Sequence, residues 1–134
     1  MVTLPTWGGR SQFQSDGSVT QGTSIIWKDR SQPAGWSKPS LVKAEVYRRL
    51  LANFSGQEVT LGHCPDPPPG SVEEWLKEQF DQWGLTSYIG PILVREGYAE
   101  RGDQSGRIRF VSNQPKPATQ YSIPSASEPN PRVP

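Results

Sequence analysis

An α+β fold follows from three observations on this 134-residue chain: two amphipathic helical stripes, a Ser71…Glu74 helix-start signal, and a Gly-tipped pair of short β-prone runs. Together they describe a small domain of three helices and a β-hairpin over residues 40–112. A flexible, partly extended N-terminal arm, 1–39, precedes it, and a disordered tail, 113–134, follows.

The first helix is predicted over Ser40–Phe54, where Tyr47, Leu50, Leu51 and Phe54 recur at i, i+3, i+4, i+7 and Ser55-Gly56 stops the period. Glu58-Val59-Thr60-Leu61 reads as a short strand. Pro65-Asp66-Pro67-Pro68-Pro69-Gly70 can extend neither a helix nor a ladder and reads as a stiff loop.

Ser71 and Glu74 form a capping box that opens the second helix. Its stripe is Val72, Trp75, Leu76, Phe80 and Trp83, and Gly84 is placed as its stop. Ile89, Ile92 and Leu93 mark a third helix ending at Gly97, which Pro91 should kink or delay to near Gly90. Tyr98–Arg101 and Arg107–Val111, joined by Gly102-Asp103-Gln104-Ser105-Gly106, form the hairpin, with Ile108 and Phe110 on one face and Arg107 and Arg109 on the other. Leu50, Phe80, Trp83 and Ile92 are the central members of the stripes and are expected to be buried.

The arm is rich in Gly, Ser, Thr and Gln, with isolated aromatics and one β-prone run, Thr23–Lys28, suited to a sheet edge. Apolar residues make up 33% of the chain, below the roughly 45–50% of ordinary globular proteins, which fits an unpacked arm and tail. Net charge of +1 excludes a global polyanion-binding field. A single cysteine, Cys64, excludes an internal disulfide, and the absence of a basic-then-apolar start or a long apolar run argues for a cytoplasmic protein with no membrane role.

Helix, strand, helix, turn, helix and Gly-tipped hairpin, with Tyr88-Ile89-Gly90-Pro91-Ile92-Leu93-Val94-Arg95-Glu96-Gly97-Tyr98 followed by Gly106-Arg107-Ile108-Arg109-Phe110, resembles a winged helix-turn-helix. The likeness is to modules appended to phage and plasmid replication primases and spans Ser40 to Val111. It implies a recognition helix, a basic wing and double-stranded DNA as partner. The residues that would grip phosphate are Arg95, Arg101, Arg107 and Arg109, with Arg10, Lys28, Arg30 and Lys38 of the arm as helpers. Residues 40–112 are slightly acidic overall, so the alternative is a structural or adaptor protein that binds protein through the same domain and through Trp7, Trp27 and Trp36 of the arm.

Chemistry-bearing motifs have simpler readings. His63-Cys64 falls short of the four ligands of a zinc site and lacks a third group to orient a nucleophile. Glu73, Glu74, Glu78 and Asp81 read as the solvated face of the second helix. Arg101-Gly102-Asp103 reads as a hairpin turn. No phosphate loop or nucleophile elbow occurs, so neither an enzyme nor a cofactor is expected.

Overall fold

Strand periodicity organises the first 42 residues. The computed structural model describes residues 1–63, 65–82 and 84–111. In it β1 (Val2–Pro5), β2 (Gln12–Ser18), β3 (Gly22–Trp27) and β4 (Ser40–Val42) pair antiparallel in the order β1-β2-β3-β4. Phe13 and Ser15 of β2, Thr23 and Ile25 of β3 and Val42 of β4 turn inward and are buried, as the period of two requires. The segment 1–39, expected to be a flexible, partly extended arm, instead supplies three strands of a four-stranded sheet. Ser15 and Thr23 occupy inward positions, so its apolar alternation is too sparse to read from sequence.

The rest of the chain supplies α1 (Ala44–Phe54), β5 (Glu58–Thr60), α2 (Val72–Phe80), α3 (Thr86–Arg95), β6 (Ala99–Arg101) and β7 (Arg107–Phe110), with a second antiparallel sheet in the order β5-β7-β6. The architecture is α+β, with three helices and two antiparallel sheets among the described residues. The first turn expected of α1 is spent on β4, which pairs Leu41 with Ser24 and Val42 with Thr23. Val46, Tyr47, Leu50 and Phe54 form the buried stripe of α1. Tyr47 is tied to β3 by a buried hydroxyl pair with Thr23 at 2.7 Å, and burial pushes its phenol well above the ordinary range.

Ser71 caps α2, its hydroxyl accepting from the Glu74 amide at 3.2 Å, while the Glu74 carboxylate reaches back to the amide of Gly70 at 2.8 Å. The helix ends at Asp81 in the left-handed region (φ 53°), not at Gly84, because an Asp side chain tolerates that conformation. Glu73, expected on the solvated face, is 0% exposed: its carboxylate accepts from the Gly84 amide at 2.9 Å and from the Thr86 hydroxyl at 3.1 Å, which fixes the α2–α3 turn. Leu50 and Ile92 are buried as expected. Phe80 is half-buried, edge-on to Trp75 and beneath the Arg49 guanidinium at 4.8 Å, because it sits at the last position of the helix. The expected burial of Trp83, the reading of the His63-Cys64 pair at Cys64, and the disordered tail at 113–134 fall on residues outside those described.

α3 runs from Thr86 to Arg95 with Pro91 inside it. Proline has no amide hydrogen, so the carbonyl four residues back, on Ser87, loses its helical donor. The backbone amide of Trp7 takes that place, donating to the Ser87 carbonyl at 2.9 Å. Gly90 makes room for the indole: a Cβ there would lie 2.6 Å from a Trp7 ring carbon. Tyr88 meets Phe13 edge-on (centroids 5.0 Å apart) and stacks on Trp27 (5.1 Å), so the N-terminal sheet roofs α3.

A second tie joins the sheet to the end of α3. Both carboxylate oxygens of Glu96, the cap of α3, accept from the Val19 amide in the β2–β3 turn at 3.2 Å. Burial pushes this carboxyl above its ordinary value, while the Val19 bond and nearby Arg95 act in the opposite direction.

Two outcomes follow. Gly90→Ala should destabilise by about 1–3 kcal/mol through collision with Trp7, and Leu50→Ala by about 2–5 kcal/mol, with Phe80→Ala costing less than Leu50→Ala; urea unfolding measures all three. Because the Glu96 pKa is raised on folding, the native state holds the proton longer, so its stabilisation is full below the ordinary glutamate pKa and is lost as pH rises through the folded value. Glu96→Gln should therefore flatten the fall in stability above the ordinary glutamate range, and urea midpoints of parent and variant across that range would show it.

Candidate nucleic-acid interface

The four arginines expected to form one basic wing meet different fates. Arg107 and Arg109 lie on one face of β7, as their alternation requires, but β5 lies alongside and places Glu58 opposite Arg109. The Glu58 carboxylate bridges both, at 3.4 Å to Arg107 and 3.1 Å to Arg109. Arg109 also meets Glu100 at 2.6 Å and Asp103 at 3.0 Å. The hydrogen bonds that Arg109 donates to Glu100, then to Asp103 and Glu58, hold its guanidinium above its ordinary pKa. The wing is internally neutralised, and Arg95 stands apart from it, exposed at the last residue of α3.

Arg101 joins a different group. Its guanidinium carbon lies 4.0 Å from the Trp7 ring centroid, and it donates to the Trp7 carbonyl at 2.8 Å. Trp7 belongs to the turn 6–11 between β1 and β2, and the register Phe13↔Trp27 brings that turn to the same end of the sheet as the connection 28–39 between β3 and β4. Arg10 lies in the first connection, and Lys28, Arg30 and Lys38 lie in the second; all are exposed and make no ion pair among the described residues.

Within these two connections the acid is Asp29, whose carboxylate accepts from the Ser31 hydroxyl at 2.6 Å and the Ser31 amide at 3.0 Å. Those bonds depress its pKa and occupy one oxygen in shaping the turn. Three gaps between strands set the width of this basic end at about 14 Å.

Of the tryptophans expected to anchor a partner, Trp7 and Trp27 pack against the core. Trp36 is half-buried and lies outside that packed set. It forms a β-bridge with Lys28, and beside it the Ser37 amide donates to the Trp27 carbonyl at 2.8 Å while the Ser37 hydroxyl accepts from the Trp27 amide at 3.0 Å.

The chain matches no family model, no curated protein and no solved structure. Its site is therefore judged on chemistry alone. Among the described residues no group of three or more His, Asp or Glu side chains is placed to hold a metal ion, and no helix is long and apolar enough to cross a membrane. A concavity of about 500 Å³ between α1 and the β2–β3 turn is lined by Val19, Glu45, Arg48, Leu51 and Tyr98 among others.

Sequence reasoning named Arg10, Lys28, Arg30 and Lys38 only as helpers of the wing. What it missed is that they share an end with Arg101 and Trp7, a grouping set by strand register and by the Trp7–Ser87 bond, neither of which leaves a local pattern.

Proposed function

We propose that this chain is a non-enzymatic nucleic-acid-binding protein whose contact surface is the connecting end of its N-terminal sheet. One observation carries the reading: Arg10, Lys28, Arg30 and Lys38 lie in the two connections at this end of the sheet, with Asp29 as their acid, Arg101 over Trp7 of the first connection and Trp36 bridged to Lys28 in the second. Free cations spaced over several ångströms neutralise phosphates and release counterions, which supplies most sequence-independent affinity. Three helices, a strand and a hairpin between Ala44 and Phe110 stand in the order that the winged helix-turn-helix resemblance implies, and this supports a nucleic-acid partner.

The resemblance does not transfer its usual mode of contact. The face of α3 bearing Ser87, Tyr88 and Pro91 is engaged by β1, β2 and β3, and a roofed helix cannot enter a major groove. The wing arginines already have carboxylate partners. An adaptor that binds protein is the second reading, favoured by that neutralised wing and the near-neutral net charge.

Fluorescence anisotropy with labelled random-sequence oligonucleotides across a salt series separates the two. The parent should bind at low salt, with log K falling against log salt by about 0.7–0.9 per phosphate contact. Lys28→Ala, Arg30→Ala and Lys38→Ala together should weaken binding and lower the slope by up to about three contacts' worth, while Arg107→Ala with Arg109→Ala should change neither. No binding at low salt, or loss confined to the wing double variant, would reject this surface.

A further inference from the structure

We infer that the nucleic acid held at this end is single-stranded, with Trp36 as a platform on which an unpaired base stacks and Arg101, laid over Trp7, as a second. The inference rests on the nucleic-acid reading above and goes beyond it by naming the strand state and the residues that sense it. Reading a duplex requires a protruding helix or ribbon that is free to enter a groove. The two elements that the resemblance would send into a groove are engaged: α3 is roofed through Trp7, Phe13 and Trp27, and the β6–β7 hairpin has Arg107 and Arg109 paired to Glu58, Glu100 and Asp103.

What the basic end presents is flat groups among cations. Trp36 is left half-exposed and unspent on the core, yet the backbone that carries it is stiff. The Lys28 bridge holds one side, and the Asp29 amide donates to the Gly35 carbonyl at 2.9 Å on the other. An indole carried on a stiff backbone loses less freedom when a planar partner lands on it, and base–aromatic stacking tolerates every base.

Arg101 is exposed, and a guanidinium that lies over one ring can pair its other face with a base. In a duplex both faces of each interior base are covered by its neighbours, so these platforms are matched only by unpaired nucleotides. Lys28, Arg30, Lys38 and Arg10 flank them and suit the phosphates on either side. Base-edge readout is not built into such a surface, so little sequence preference is expected.

The test compares the full chain on a short labelled single strand of mixed sequence and on the blunt duplex of the same sequence at equal low salt. The single strand should bind at least about tenfold tighter. Trp36→Ala should weaken single-strand binding by about 5- to 100-fold, leave duplex binding unchanged, and leave the salt slope unchanged because no phosphate contact is lost. Trp36→Phe should keep most of the affinity, and Trp36→Leu, equally apolar but not planar, should not. Comparing these two settles the matter if the alanine variant unfolds.

Equal affinity for duplex and single strand, with a slope still cut by the Lys28, Arg30 and Lys38 changes, would overturn this inference while leaving the nucleic-acid reading standing. Absence of binding to either would overturn both. Poly-glutamate competing as well as the single strand does would also overturn it, since the surface would then sense charge alone.

Discussion

The bond from the Trp7 amide to the Ser87 carbonyl is the constraint on which the arrangement of this molecule depends. Pro91 creates the need for it by withdrawing the helical donor from a carbonyl inside the fold, and an acceptor left unpaired there would cost about 1–3 kcal/mol. Gly90 creates the opportunity, since any side chain would collide with the indole. Adjacent in sequence, these two residues make a notch in α3 that an incoming strand can fill. Once Trp7 is seated, β1 is fixed beside α3, and β2 and β3 follow by pairing, bringing Phe13 and Trp27 onto Tyr88. The indole nitrogen of Trp7 is buried without an acceptor among the described residues, so packing and the main-chain bond outweigh that loss.

Charge follows from the same placement. Pairing of β5 with β7 sets Glu58 against two arginines that the alternation of β7 puts on one face, and the hairpin adds Glu100 and Asp103. Exposed pairs of this kind contribute little stability singly, but they remove the wing as a free cationic surface. Arg101, one strand away, escapes the network because Trp7 offers its ring and carbonyl instead. The basic end of the molecule is thus what remains after the hairpin has satisfied its own charges.

Local signals made the C-terminal two thirds of the described chain legible. The α1 stripe, the Ser71 cap, the stop at Gly97 and the Ile108/Phe110 alternation each depend on residues within a turn or two of one another. The first sheet was hidden because its inward positions include Ser15 and Thr23 and because the Thr23–Trp27 run gives no sign of what it faces. Glu73 was misread although it stands three residues before Leu76 and seven before Phe80, on the apolar side of α2; its charged type suggested solvent, whereas the Gly84 amide and the Thr86 hydroxyl across the turn receive its carboxylate. Of the site, the residues were visible and their grouping was not. Arg107 and Arg109 share a face as alternation predicts, whereas no periodicity reports that Glu58 sits opposite.

One notch therefore decides both what this fold gives up and what it gains. With an ordinary residue at position 91, α3 would satisfy its own backbone and could present Ser87 and Tyr88 outward, as a groove-reading helix must. With Pro91 and Gly90, that face is exchanged for a docking seat, and the seat carries Trp7 to Arg101. The cations of the β1–β2 and β3–β4 connections gain a partner from the other half of the chain, and Trp36 is held among them by strand register. Among the described residues the surface assembled in this way is broad, basic and aromatic, and it is on these features that the proposed contact with a flexible phosphate chain and its open base faces rests.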